Sequence, residues 1–314
     1  MGKTALSFYC DDTGPYQAGP KAFQDFLDYC AKNGVKGESS VILGGKRGGS
    51  MTREPNPDEL AYIAQAKRAR DCGIDAHFEL MTHWGLFDFA TGKEGQRPGH
   101  EGLWLYEPAV TQVEYEEYFG SIITEGERVG VRFTGMTWPG CSCAFCDRRY
   151  AELRANGPIA PNPNMSRALL SLAKRGKFDG PTVPCFFESD EEKYGCNLLA
   201  GDGEHAVYDL MPNAGDKFGS WGNGKDYVDP DYYITADGKS GIVVKHVAAG
   251  APYCLFYAHW QGLNRGNGFG WPAFTTVVER IRTHLKERVV WMRPSEITTN
   301  YRKSGGWSFL SSAG

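Results

Sequence analysis

Two aspartates stand side by side at positions 11 and 12, and their type and place suggest chemistry. Residues 4–10 read as a short apolar strand, which Asp11-Asp12 cuts off ahead of the turn Thr13-Gly14-Pro15. Adjacent carboxylates at a strand end repel each other. A divalent metal on one of them would offset the repulsion and leave the other free as a base. The plain alternative is a solvated Asp-Asp turn. Other chemistry-bearing residues follow expected strands: His83 after residues 74–80, Trp138 after 132–137, and His259 after 253–258. On the third strand, side-chain alternation puts His77 and Glu79 on one face, with His83 just past the end. One Asp with two neutral imidazoles is a common open set for a catalytic metal, most often zinc, with room left for water. His83 is therefore a candidate ligand, and His77 and Glu79 are rivals for the remaining place.

These residues lie far apart in the chain, so their value depends on the elements that carry them. Helical apolar spacing is expected at 20–33, closed by Asn33-Gly34, and at 58–72, closed by Gly73. Thr111 followed by Glu114 reads as a capping box that opens a helix over 111–129. Further helices are expected at 147–156, 166–174 and 274–286, and further strands at 38–43, 182–187, 206–210 and 289–292. Residues 241–249 fit either state. Strand and helix alternate with a period of about 35 residues, which favours a parallel sheet with right-handed crossovers. No linker divides the chain, so the expectation is a single domain over 1–314: an α/β barrel of seven or eight strand-helix units. In such barrels the site lies at the carboxyl ends of the strands, where Asp11, Asp12, His83, Trp138 and His259 would meet.

Composition excludes several classes. The net charge is −4 and the basic residues are dispersed, which argues against nucleic acid and anionic membrane as partners. No apolar run is long enough to span a bilayer. Met1-Gly2-Lys3 leads straight into the first strand with no visible secretory signal, which fits an intracellular protein or one whose leader has been removed. The cysteines number nine, an odd count scattered through a long chain, so they form no disulfide framework. Cys141, Cys143 and Cys146 cluster after Trp138 but lack a fourth ligand for a zinc knot, and structural thiols are the first reading. The glycine-rich stretch 44–49 lacks phosphate-loop spacing. The long loop 84–108 has the length of a functional segment.

The run Phe8-Tyr9-Cys10-Asp11-Asp12-Thr13-Gly14-Pro15 resembles the Asp-Asp motif of the polysaccharide deacetylases, the NodB-like carbohydrate esterases, with Thr13 inserted before Gly-Pro. That resemblance implies a distorted NodB-like barrel in which Asp11 is the base and Asp12 binds the metal. The family's ligand histidines lie four apart, and Glu79-Leu80-Met81-Thr82-His83 has that spacing with Glu in the first place. The segment His77-Phe78-Glu79-Leu80 is similar to the Gly-x-His-x-x-Leu strand of the YdjC-like sugar deacetylases, which implies His77 instead. Residues 133–140 resemble the strand that bears an Arg-Pro-Pro signature, of which only Pro139 is present; the arginine is missing. Residues 255–259 are similar to the final family motif, whose His is the general acid, a role that falls on His259.

The implied activity is metal-dependent removal of acetyl groups from a carbohydrate. Trp84, Trp138, Trp260 and Trp271 are candidates for walls that stack on sugar rings, although core packing is the plain reading of each. Two other readings compete: a glycoside hydrolase that uses carboxylates without metal, and a barrel that binds glycans without turnover.

Overall fold

The computed structural model describes residues 2–44, 54–79, 87–88, 93–94, 104–137, 161–187, 190–220, 222, 225–264 and 269–311. His83, Trp84, Trp138, the Cys141/Cys143/Cys146 cluster, residues 45–49 of the glycine-rich stretch and the helix expected at 147–156 lie outside them.

The expected alternation is present. Strand β1 (Thr4–Asp11) leads to helix α1 (Pro15–Asn33), β2 (Gly37–Val41), α2 (Pro57–Arg68) and β3 (Ile74–Glu79). A short hairpin of β4 (Phe87–Asp88) and β5 (Lys93–Glu94) precedes α3 (Gln112–Val129), β6 (Gly135–Thr137), α4 (Pro163–Lys174) and β7 (Thr182–Cys185). Then come β8 (Cys196–Gly201), β9 (Ala206–Leu210), α5 (Pro230–Tyr233), α6 (Ile242–Ala249) and β10 (Tyr253–His259). The chain closes with α7 (Trp260–Asn264), α8 (Gly270–His284), β11 (Val289–Trp291) and α9 (Pro294–Ser304). Local chemistry sets the boundaries. The Thr111 hydroxyl accepts from Glu114 N–H, and Glu114 reaches back to the Thr111 N–H, so the capping box forms. Gly34, in the left-handed region at φ 65°, turns the chain out of α1.

The strands form a six-stranded sheet in the order β2-β3-β6-β7-β9-β8 and a three-stranded sheet in the order β10-β1-β11. Every pairing within these two sheets is parallel except β8 with β9. The sheets meet at two seams. At one, Thr13 N–H donates to Ser40 Oγ at 3.1 Å and the Thr13 and Ser39 hydroxyls lie 2.7 Å apart. At the other, Ala214 bridges Phe256, with Tyr257 N–H donating to the Ala214 carbonyl at 2.9 Å. Among the described residues the strands form a mixed α/β arrangement of two mainly parallel sheets, and the hydrogen-bonded ladders do not join into one closed barrel.

Alternation along the strands separates two environments. Leu6, Phe8, Cys10, Val41, Phe78 and Phe256 pack outward against the helices in the larger core. Ala5, Tyr9, Phe186, Tyr208, Tyr253 and Leu255 form a second cluster on the opposite face, together with Ile297 of α9 and Leu310. Helix α9 closes that inner space at the amino ends of the strands: Ser295 donates through its N–H and its hydroxyl to buried Asp75, and Thr298 bonds Thr182. Apolar residues and α9 fill the amino end of this space.

Candidate active site at the strand carboxyl ends

Parallel pairing of β1 with β10 brings Asp11 opposite His259, and Tyr9 opposite Tyr257, on the inner face. Asp11, Asp12 and His259 are all nearly inaccessible. Three residues that the sequence did not flag complete their surroundings. The His259 imidazole lies with Nδ1 2.8 Å from Asp216 Oδ2, and the His259 backbone N–H donates to the same oxygen at 3.1 Å. With Nδ1–H committed to a carboxylate, Nε2 is the atom left for chemistry. The Tyr257 hydroxyl lies 2.7 Å from that Nε2. Gln261 donates from Nε2 to Asp12 Oδ2 at 2.8 Å.

Asp12 has a φ of 63°, in the left-handed region. This turn lets two consecutive residues serve one cleft. Its N–H donates to Glu79 Oε2 at 3.0 Å, which sets Glu79 of β3 beside it. His77, two residues earlier, is fully buried. Its ring stacks on Phe186 with centroids 5.4 Å apart, and its Nδ1 is 3.7 Å from Glu38 Oε1. Of the two rivals on β3, the structure therefore puts Glu79 next to Asp12 and His77 deeper, against Glu38.

The electrostatics are one-sided. Burial, then the Asp12 and Glu38 charges, push the Asp11 carboxyl well above the usual carboxylate range. Burial, then Asp12 and Asp11, do the same to Glu79. Glu38, fully buried, is raised chiefly by burial, partly relieved by a 2.8 Å hydrogen bond from the Thr137 hydroxyl. Burial lowers His77 to about 3, so its imidazole is neutral. Among the described residues, Asp11 Oδ1, Glu38 Oε2, Glu79 Oε1 and both His77 nitrogens have no hydrogen-bond partner. Buried carboxylate oxygens without donors favour a proton, a water or a cation.

The donor set fits a divalent cation in part. Asp12 and Glu79 are neighbours that carry hard oxygens, but the described residues hold no group of three or more His, Cys, Asp or Glu side chains spaced to bind a metal ion. His83, the other ligand expected from the sequence, lies outside those residues. The tryptophan expectation fails at Trp260. That ring is fully buried between the edges of Phe23 and Phe26, at 5.6 and 5.7 Å, so it packs the helical layer and lines no sugar site. Trp271 likewise packs on Tyr29 and Phe274. The far end of the long loop is also structural, with Trp104, Leu105 and Tyr106 buried against α3.

No sequence-family model matches the chain, and no curated protein does. Its fold is similar to solved structures. A Parabacteroides distasonis protein provisionally named a glycoside hydrolase/deacetylase aligns over 96% of this chain and 72% of its own, with a TM-score of 0.54 and 9% sequence identity. A deacetylase solved with substrate aligns over 95% of this chain and 92% of its own, with a TM-score of 0.43 and 10% identity. An exo-β-1,4-mannosidase from an Opitutaceae bacterium aligns over 89% of this chain and 60% of its own, with a TM-score of 0.38 and 11% identity. The likeness is one of fold: the mixed α/β architecture is similar to that of the protein named a glycoside hydrolase/deacetylase.

Proposed function

We propose that this chain is a metal-dependent hydrolase that removes acetyl groups from a carbohydrate. The observation that carries the reading is the pairing of Asp11 with His259 across β1 and β10 at the carboxyl end of the strands, the imidazole fixed by Asp216. A base and an acid on adjacent strands can serve opposite sides of one scissile bond. The similarity of fold to a protein named a glycoside hydrolase/deacetylase agrees with this reading.

In this reading Asp12, Glu79 and His83 would hold a divalent cation such as zinc, which when bound polarises an acyl carbonyl and acidifies water. Glu79 takes the place expected of His77, because Glu79 adjoins Asp12. Asp11 accepts the proton of the attacking water once ionised; a cation held by Asp12 would favour that ionised form by offsetting the neighbouring charge that raises the Asp11 carboxyl. His259, with Nδ1–H held by Asp216, presents Nε2 to donate a proton to the departing amine or alkoxide. Gln261 steadies Asp12 through its Oδ2. The burial of Asp11, Asp12 and His259 lowers the local dielectric, which strengthens each of these interactions.

Metal content and turnover test it together. Purified protein reconstituted with zinc should hold about one ion per chain and release acetate from an acetylated chito- or xylo-oligosaccharide panel. Asp12→Asn and His83→Ala should lose both. Absence of metal after reconstitution would refute the mechanism. Glycoside hydrolysis is the second reading, favoured by two buried carboxyls, Asp11 and Glu79, that hold their protons unusually well. Glycosidase activity that survives a chelator would select it.

A further inference from the structure

We infer that Tyr233 is a positioning residue: its buried phenol oxygen fixes the backbone on both sides of Asp216, and through Asp216 the orientation of the His259 imidazole. The inference rests on the hydrolytic reading above for its effect on turnover, while the positioning itself is read without substrate.

Asp216 lies outside every helix and strand, between β9 and α5, so its carboxylate needs an external frame to hold one direction. Upstream, the segment is tied to β10: the Ala214 N–H donates to the Leu255 carbonyl at 3.1 Å, and the Tyr257 N–H donates to the Ala214 carbonyl at 2.9 Å. At Asp216 itself the frame is Tyr233, the last residue of α5. Its hydroxyl donates to the Gly215 carbonyl at 2.6 Å and accepts from the Lys217 N–H at 3.0 Å. A phenol has one proton to give and lone pairs to accept with, so it can do both at once. The first bond holds the peptide plane before the Asp216 Cα and the second holds the plane after it. Both soft dihedrals of Asp216 are thereby set from one oxygen. The ring cannot swing away. Tyr233 is fully buried, stacked on Phe218 with centroids 4.4 Å apart and 8° between planes, and packed on Phe256 at 5.3 Å.

With its backbone set, the Asp216 side chain is completed locally. Oδ1 accepts from the Phe218 N–H at 2.9 Å, and Oδ2 faces the His259 N–H and Nδ1. The neighbouring Tyr232 supplies a contrast from the same short helix. Its hydroxyl accepts from the Gly215 N–H at 2.8 Å and donates to Glu191 Oε1 at 2.5 Å. That amide belongs to the peptide before Gly215, so Tyr232 anchors the segment without setting the planes that flank Asp216.

The experiment follows the histidine ring nitrogens of ¹⁵N-labelled protein by NMR. The His259 signals are assigned by their loss in His259→Gln, and the neutral ring is compared in each form. In the parent its proton should sit on Nδ1. Tyr233→Phe keeps the ring stack and removes the hydroxyl; it should draw the Nδ1 and Nε2 shifts of His259 toward each other as the two tautomers mix. Tyr232→Phe should leave both at their parent values. A parent ring with its proton on Nε2, unchanged shifts in folded Tyr233→Phe, or an equal change in Tyr232→Phe would overturn the proposal. Amide exchange in the parent decides the question should Tyr233→Phe not fold. The Lys217 N–H should exchange at least roughly 100-fold more slowly than an unstructured amide, and free exchange would overturn the clamp. Where turnover is measurable, Tyr233→Phe should lower kcat by roughly 10- to 100-fold with KM little changed. If no acetylated substrate turns over in the parent, the hydrolytic reading fails while the NMR comparison still decides the positioning.

Discussion

Glu38→Gln should make this protein more stable, and increasingly so as pH rises. Glu38 is fully buried in the interior below Asp11, and its Oε2 has no hydrogen-bond partner. Burial is the largest cause of its raised carboxyl, and Asp75 and Glu79 add to it. The sign follows from proton linkage. A carboxyl that holds its proton more tightly when folded favours folding most below its unfolded pKa of about 4.3. That advantage is lost as pH climbs toward the folded value. Each pH unit within that window costs about 1.4 kcal/mol, and full burial leaves no solvent screening to discount it. Glutamine keeps an acceptor for the Thr137 hydroxyl, which donates to Glu38 Oε1 at 2.8 Å, and has nothing to ionise. The assay is urea unfolding of chelator-treated parent and variant at pH 5, 6, 7 and 8, read as the difference in unfolding free energy. That difference should grow in favour of the variant from pH 5 upward. A difference that stays flat across this range, or that grows in favour of the parent, would refute the account of a buried, unrelieved carboxyl.

Further outcomes follow from contacts already described. Gly135→Ala should destabilise the fold by at least about 1–3 kcal/mol in thermal unfolding, because its Cβ would lie 2.3 Å from the Pro184 carbonyl oxygen and 2.6 Å from the His77 ring. Thr111→Ala should cost about 1 kcal/mol by removing the cap of α3, and Thr111→Ser should restore it. Asp216→Asn should leave the fold intact but lower kcat roughly 100- to 10,000-fold by releasing the His259 tautomer, measured as acetate release.

The parts of this fold that could be read from the sequence share a cause. Strands β1 and β10 are largely apolar runs and β3 alternates apolar with polar residues, while α3 carries a capping box and α1 a clear glycine stop, although α1 begins at Pro15 rather than at residue 20. The strand ends were therefore visible, and with them the placement of Asp11, Asp12 and His259. Strand β8 was missed because it pairs antiparallel with β9 alone, and Leu198 on it is exposed. Helix α9 was missed because Thr298, Thr299 and Asn300 have poor helix propensity; it is held by Asp75, a partner 220 residues away. Asp216 lies in a glycine- and aspartate-rich stretch without periodicity, and only the β1–β10 pairing gives it a role. Glu38 reads as the start of a strand and shows nothing of the charge it places inside. Trp260 follows the strand that carries His259, but helix α7 begins there and turns the ring away into the core.

The left-handed turn at Asp12 has a bearing on how such a site can change over generations. Few side chains tolerate that backbone conformation; aspartate and asparagine do so far better than most, and glycine does so freely. A single-nucleotide change from aspartate to asparagine would keep the turn and an acceptor for Gln261 while removing the charge. Chemistry at this position can thus be silenced without disturbing the fold, whereas replacement by a bulky residue would strain the end of β1 as well. Under the proposed hydrolytic role, a lineage that stopped needing the reaction could lose it in one step with the fold intact, and regain it by the same step.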